Sequence, residues 1–135
     1  MSESTIRASF EGTAFQVKLS DGLHAWASDV PQTLGGGDTG PSPHQLLLSA
    51  LGACTSITVA MYAQRKGIPL EAVDVKLSIL QERITHDAQT HIGRDIHLTG
   101  ALSHEQRLRL LEVANACPIH KVLSGEILIS SQLAE

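Results

Sequence analysis

Between Leu46 and Met61 the chain gives a helix almost nothing to turn toward water. Leu46, Leu47, Leu48, Leu51, Ile57, Val59 and Met61 supply bulk, and Ala50, Gly52, Ala53, Cys54 and Ala60 are small. The only polar side chains are the short hydroxyls of Ser49, Thr55, Ser56 and Thr58. Helix boundaries stand on either side. Ser42 is a favoured N-cap, Pro43 suits the first helical position, and Gln45 completes a reciprocal capping box with Ser42. Arg65 and Lys66 suit the negative end of the helix dipole, and Gly67 suits the residue just beyond it. A helix that is apolar on nearly every face is buried on most sides. In a chain of 135 residues such burial requires a wrapping sheet or a partner subunit. The hydroxyl residues interrupt the apolar run, so it is expected to fall short of a membrane span.

Sheets come from the rest of the chain. Ile6, Ala8 and Phe10 alternate with polar neighbours, Phe15, Val17 and Leu19 repeat the alternation, and Ser20, Asp21 and Gly22 turn the chain into Leu23–Trp26. This predicts an antiparallel β-meander. The stretch Leu34–Pro43 follows, in which Gly35, Gly36, Gly37, Pro41 and Pro43 exclude helix and central strand. Gly35 and Gly40 have the spacing of a phosphate loop, but Pro41 stands where that loop needs lysine, so a flexible connector is expected. Beyond the long helix, Val73, Val75, Leu77 and Ile79 predict a half-buried strand. A loop over Thr85–His91 leads to a second strand through Ile96, Leu98 and Gly100. Ser103 and Gln106 repeat the capping box and open a second helix, with Leu108, Leu111 and Val113 expected on its buried side and Pro118 interrupting it. Ile127 and Ile129 predict a final strand. The order of strands, long helix, two strands, helix and strand is an α+β arrangement, and the length suits one domain over residues 1–135.

Composition narrows the class. Apolar residues at 42% and charged residues at 18% allow a real core, which 3% aromatics makes aliphatic and alanine-rich. Ten basic against fourteen acidic side chains give a net charge of −4, without the basic footprint of a nucleic-acid or anionic-membrane binder. Met1–Arg7 shows no basic region followed by an apolar run, so no secretory signal is expected and the expected location is the cytoplasm. Lasting disulfides are rare there, which directs attention to the two cysteines.

Cys54 lies among Gly52, Ala53, Thr55 and Ser56. It either packs as a small hydrophobe with a raised pKa or serves as a nucleophile to which small neighbours leave an approach. Pro118 suits the first position of a short helix, which sets Cys117 at its N-terminus, where the helix dipole favours a thiolate; His120 and Lys121 follow on the same turn. The two cysteines are 63 positions apart and form no Cys-x-x-Cys motif, so only the fold can bring them together. His24, His86, His91, His97 and His104 are scattered without metal-ligand spacing. One mixed set, Cys54, Cys117 and His120 with His44, has the chemistry of a zinc site but matches no recognised zinc pattern, so no metal and no other cofactor is expected. No Gly-x-Ser-x-Gly elbow is present, which excludes a serine hydrolase of that type.

The run from Pro43 to Cys54 (Pro-His-Gln-Leu-Leu-Leu-Ser-Ala-Leu-Gly-Ala-Cys), with Cys117-Pro-Ile-His-Lys-Val-Leu123 far downstream, resembles the OsmC/Ohr family of thiol peroxidases. Ser20-Asp-Gly22 and the glycine-rich approach to the helix share in the resemblance, which extends over essentially the whole chain. It implies an intertwined homodimer with antiparallel sheets wrapped around central cysteine-bearing helices and active sites at the subunit interface. It implies that Cys54 attacks an organic hydroperoxide and becomes a sulfenic acid, that Cys117 condenses with it to a disulfide, and that an external lipoyl or small dithiol reductant restores both thiols. The sequence departs from the family pattern at two positions. His44 stands where a glutamate orients an arginine, and the strands that supply that arginine offer Thr13 or Gln16 at the aligned positions, with Arg7 not placed in the site. His44 and His120 are therefore the candidates for tuning the thiols. The departure also keeps open a non-catalytic relative that binds a small apolar or thiol ligand at the dimer interface.

Overall fold

In a computed structural model, residues 5–85 and 88–134 are described. Two compact units divide the chain, Met1–Ser49 and Ala50–Glu135. In the first, β1 (Arg7–Phe10), β2 (Val17–Ser20) and β3 (Ala25–Ser28) form the expected antiparallel meander in the order β1-β2-β3. Phe10 pairs with Val17, and Val17 with Ser28. At the β2–β3 turn the Asp21 carboxylate accepts the Leu23 and His24 N–H groups, and Gly22 takes φ +95°.

The glycine-rich stretch departs from the expectation of a flexible connector, because a buried carboxylate organises it. Asp29 Oδ1 accepts from Val30 N at 2.7 Å and from Gly37 N at 3.4 Å, while Oδ2 accepts from Thr39 N at 3.1 Å and Thr39 Oγ1 at 2.6 Å. Ser28 Oγ donates to Pro41 O at 2.8 Å. The glycines permit close backbone approach: a Cβ on Gly36 would stand 2.1 Å from Val30 O, and one on Gly40 2.5 Å from Ala27 O. Composition shows the missing side chains but not what the bare backbone packs against.

Helix α1 (Pro43–Lys66) begins and ends where its caps place it. Ser42 N donates to Gln45 Oε1 at 2.9 Å and Gln45 N to Ser42 Oγ at 3.2 Å, and Gly67 takes φ +69°. Burial is less complete than the sequence suggests. Only Leu51, Thr55, Val59 and Ala63 are buried, a single stripe at four-residue spacing, while Ile57 and Met61 remain 54% and 63% exposed. By length and composition the helix is also sufficient to cross a membrane, with a mean hydropathy of 1.7 over its most apolar window. The hydroxyl residues do not shorten it as expected, because short hydroxyls lower hydropathy little and bond back along the helix, as Thr55 Oγ1 does to Leu51 O at 2.6 Å.

In the second unit, β4 (Leu70–Gln81) and β5 (His91–Gly100) pair antiparallel, with Val73 opposite Leu98, Val75 opposite Ile96 and Leu77 opposite Arg94. Val73, Val75, Leu77 and Ile79 are the more buried phase of β4, as expected. A Cβ on Gly52 would come within 2.8 Å of Leu77 Cδ1, which places the small segment of α1 directly against the sheet. The core joins Val59, Ala63, Leu98, Leu110, Val113 and Ala114. Helix α2 (His104–Ala114) has its Ser103–Gln106 capping box, but its buried residues are Leu110, Val113 and Ala114. Leu108 and Leu111, expected inside, are about half exposed. Leu108, Leu110 and Leu111 cannot all face one way at 100° per residue, and Leu110 is the one in register with Val113 and Ala114. Helix α3 (Pro118–Ser124) starts at Pro118, as expected. The predicted final strand does not form: residues 125–134 have no regular structure, and Ile127, Leu128 and Ile129 are exposed. Alternation alone provides no ladder partner.

Candidate active site

Cys54 and Cys117 meet at the start of α3. Pro118 breaks the chain out of α2 and makes Cys117 the N-cap of α3, with an extended backbone, φ −66° and ψ 148°, that leaves its side chain free to accept from the first turn. His120 N donates to Cys117 Sγ at 3.3 Å. The neighbouring Ile119 N points to the other thiol and donates to Cys54 Sγ at 3.5 Å. Two successive N–H groups thus serve two sulfurs from elements 63 residues apart. Cys117 has no solvent exposure, whereas Cys54 is partly exposed, and both are free thiols. The Thr58 hydroxyl lies 3.8 Å from Cys54 Sγ.

A cation completes the cluster, one that no sequence motif marks. Arg94, on β5, donates from Nη1 to Thr55 Oγ1 at 2.9 Å and from Nη2 to Asn115 Oδ1 and His120 Nδ1, each at 2.9 Å. Thr55 is fully buried, and its hydroxyl oxygen is 4.0 Å from Cys117 Sγ. Burial pushes the Cys117 thiol up, but the His120 N–H, the Cys54 and Thr55 side chains and the Arg94 charge outweigh it, so the thiol titrates below its usual range. Burial, then the Arg94 charge, holds the His120 imidazole below its usual range. A guanidinium can only donate, so Nδ1 of His120 carries the lone pair and the ring proton sits on Nε2. The cluster therefore combines one cation, one thiol whose pKa is lowered and one imidazole with its Nδ1 lone pair engaged.

Beside it lies a cavity of about 420 Å³, lined by Arg94, His120 and Asn115 on its polar side and by Leu51, Ile96 and Leu123 on its apolar side. The fold brings Cys54, Cys117 and His120 together. His44 is an exposed residue of the first turn of α1 and belongs to the other unit. His24 pairs with Asp21, and His91 lines the cavity; His86 lies outside the described residues. The mixed zinc set does not fit here: His120 Nδ1 is occupied by an arginine N–H, and a guanidinium repels a metal cation. Among the described residues no group of three or more His, Cys, Asp or Glu side chains is arranged to hold a metal ion.

A signal for Arg94 was present. Carrying the inward phase of Leu98 and Ile96 back two residues places a charged side chain among apolar ones, the pattern of a residue held for its chemistry rather than for solvation.

A family profile described as OsmC-like protein matches residues 35–132. No curated protein sequence matches the chain. Among solved structures, an OsmC-like protein of Mycoplasma pneumoniae superposes with a TM-score of 0.75 at 20% identity, over 90% of this chain and 86% of the other. An organic hydroperoxide resistance protein of Legionella pneumophila, also described as a redox protein, gives 0.64 at 25% identity over 90% and 88%. The organic hydroperoxide resistance protein OhrB of Bacillus subtilis gives 0.61 at 22% identity over 90% of each.

Proposed function

The chain belongs to the OsmC-like protein family, and from that premise we propose that it is a cysteine-based hydroperoxide reductase acting on organic hydroperoxides. One observation carries the reading: two free thiols from distant elements share adjacent N–H donors beside a cation and an amphipathic cavity. Cys54 is the accessible thiol and the attacking group. Its thiolate takes the distal peroxide oxygen, the O–O bond breaks, and the departing alkoxide picks up a proton, leaving a Cys54 sulfenic acid and an alcohol. Cys117, buried against Cys54, displaces the sulfenic oxygen as water and forms the disulfide. An external dithiol, lipoyl or smaller, returns both thiols. Relatives named for organic hydroperoxide resistance support the substrate class.

The protein acts as a homodimer in the cytoplasm under this reading. Support for the dimer is the apolar surface that one chain leaves uncovered, Ile57 and Met61 on α1 and the Ile127–Ile129 segment. The test is intact mass and free-thiol count after one equivalent of cumene hydroperoxide, in parallel with hydrogen peroxide, on the reduced protein and on Cys54→Ser and Cys117→Ser. Rapid loss of two thiols within one chain, abolished by either substitution and faster with cumene hydroperoxide, is the expected result. Thiols that persist for minutes would overturn it.

A further inference from the structure

We propose that Arg94 is a positioning residue for the second chemical step, holding Cys117 rather than Cys54 as the thiolate that closes the disulfide. The inference rests on the peroxidase reading, and its test fails separately from that reading. The contacts of the two sulfurs differ. Cys54 receives Ile119 N–H and lies near the Thr58 hydroxyl, and neither is cationic. Cys117 receives His120 N–H and lies beside Thr55, and both Thr55 Oγ1 and the His120 ring are hydrogen-bonded by the guanidinium of Arg94. Arg94 is thereby fixed by Thr55, Asn115 and His120, all neutral acceptors. Among the described residues no carboxylate is recorded in an ion pair with it. Its charge therefore reaches Cys117 through Thr55 and His120, and it adds to the lowering of the Cys117 thiol after the His120 N–H and the Cys54 and Thr55 side chains.

In the step so assisted, the Cys117 thiolate attacks the sulfenyl sulfur of Cys54. The S–O bond breaks as the S–S bond forms, and the departing hydroxide takes a proton from solvent. The Cys117 sulfur is oxidised and the Cys54 sulfur reduced, and the hydroperoxide of the first step is the ultimate oxidant.

A thiolate of higher pKa is scarcer below that pKa but more nucleophilic, with a Brønsted slope of about 0.4–0.5. For each unit by which Cys117 titrates higher in Arg94→Gln, closure slows roughly threefold at a pH below both pKa values and quickens roughly threefold above both. The two pH profiles therefore cross, which a loosened site would not produce. The experiment generates the sulfenic acid with cumene hydroperoxide, follows disulfide closure by rapid-quench mass spectrometry across pH, and compares wild type, Arg94→Gln and Arg94→Lys. Sulfenic acid formation is timed separately with a dimedone trap in a Cys117→Ser background. Crossing profiles for Arg94→Gln, a near-native profile for Arg94→Lys, and a smaller effect on the first step support the proposal. Parallel profiles, or a first step slowed as much as closure, overturn it. If no sulfenic acid forms at all the peroxidase reading falls, and ultraviolet titration of Cys117 in a Cys54→Ser background then judges Arg94 alone: a midpoint unmoved by Arg94→Gln refutes its action on Cys117.

Discussion

Replacing Thr55 with valine separates the mechanical from the electrostatic work of the cluster. Thr55 is fully buried, its hydroxyl donates to Leu51 O at 2.6 Å, and its oxygen accepts Arg94 Nη1 at 2.9 Å. Valine has nearly the same shape, so it opens no cavity, and Leu51 O keeps its helical partner. Two bonds are lost, the hydroxyl's donation to Leu51 O, whose acceptor stays paired in the helix, and the bond from the charged Arg94 donor, worth about 1.5–3 kcal/mol. Two effects reduce that figure. Arg94 is only partly buried, so water can replace part of the bond, and burying a methyl in place of a hydroxyl returns up to about 0.8 kcal/mol. Thr55→Val should therefore destabilise the reduced protein by only about 1 kcal/mol. Thr55→Ser should cost a similar amount, about 1 kcal/mol for the lost methyl, while keeping the acceptor. The substitutions diverge at Cys117: Thr55→Val removes the hydroxyl beside the sulfur, frees one arm of Arg94 and so raises the thiol's titration midpoint, whereas Thr55→Ser leaves it close to wild type. Urea unfolding at fixed protein concentration under reducing conditions gives the stabilities, and ultraviolet thiolate titration in a Cys54→Ser background gives the midpoints. Equal midpoints for the two variants would refute the reasoning, because the hydroxyl would then have no part in aiming the guanidinium.

Leu110→Ala removes a side chain that is 1% exposed at the centre of the core and should cost about 2–5 kcal/mol in urea unfolding; Leu108→Ala on the exposed face should cost far less. Asp29→Asn should speed amide hydrogen exchange at Gly37 and Thr39. The Thr39 hydroxyl and the neighbouring N–H groups hold this carboxyl below its usual range, so the wild-type loop keeps its protection above the unfolded pKa and loses it as acid protonates Asp29, converging on the variant. The depressed His120 disfavours the folded state as pH falls below its ordinary value of 6.5, and the depressed Cys117 adds stability as pH rises through its folded pKa toward 9.0. Reduced protein should accordingly gain stability from about pH 5 to 8, with His120→Asn flattening the acid side and Cys117→Ser the alkaline side in parallel unfolding curves.

What the sequence revealed of the fold was what neighbouring residues encode. Both capping boxes, the stop at Gly67, the break at Pro118 and the alternation of β4 depend on a few adjacent side chains, and each appears in place. The failures required distant information. Ile127 and Ile129 have the period of a strand, but a strand exists only against a partner, and among the described residues neither sheet pairs with them. The glycine-rich stretch reads as slack until the Asp29 carboxylate is known to gather it. Which leucines of α2 turn inward depends on what they pack against. Helix α1 buries one stripe, Leu51, Thr55, Val59 and Ala63, where its composition alone suggests burial on most sides.

The site was half legible for a related reason. Cysteines and a proline announce themselves by type, so Cys54, Cys117 and the α3 start could be named in advance, whereas an arginine on a strand is ordinarily a solvated side chain. Arg94 differs because it falls in the apolar phase of β5, opposite Leu77, and its hydrogen bonds go to neutral acceptors, Thr55, Asn115 and His120. That combination has a consequence for turnover. Under the peroxidase reading, a Cys117 thiolate formed in the reduced protein balances the guanidinium. Forming the disulfide removes that anion and leaves the cation with neutral partners in a half-buried place. The charge therefore favours the dithiol over the disulfide, the same bias that makes a stabilised reduced form a stronger oxidant among thiol–disulfide proteins. On the proposed cycle, the arginine that speeds closure at low pH also keeps the closed form easy for an external dithiol to reopen, so one side chain on β5 would serve both halves of it.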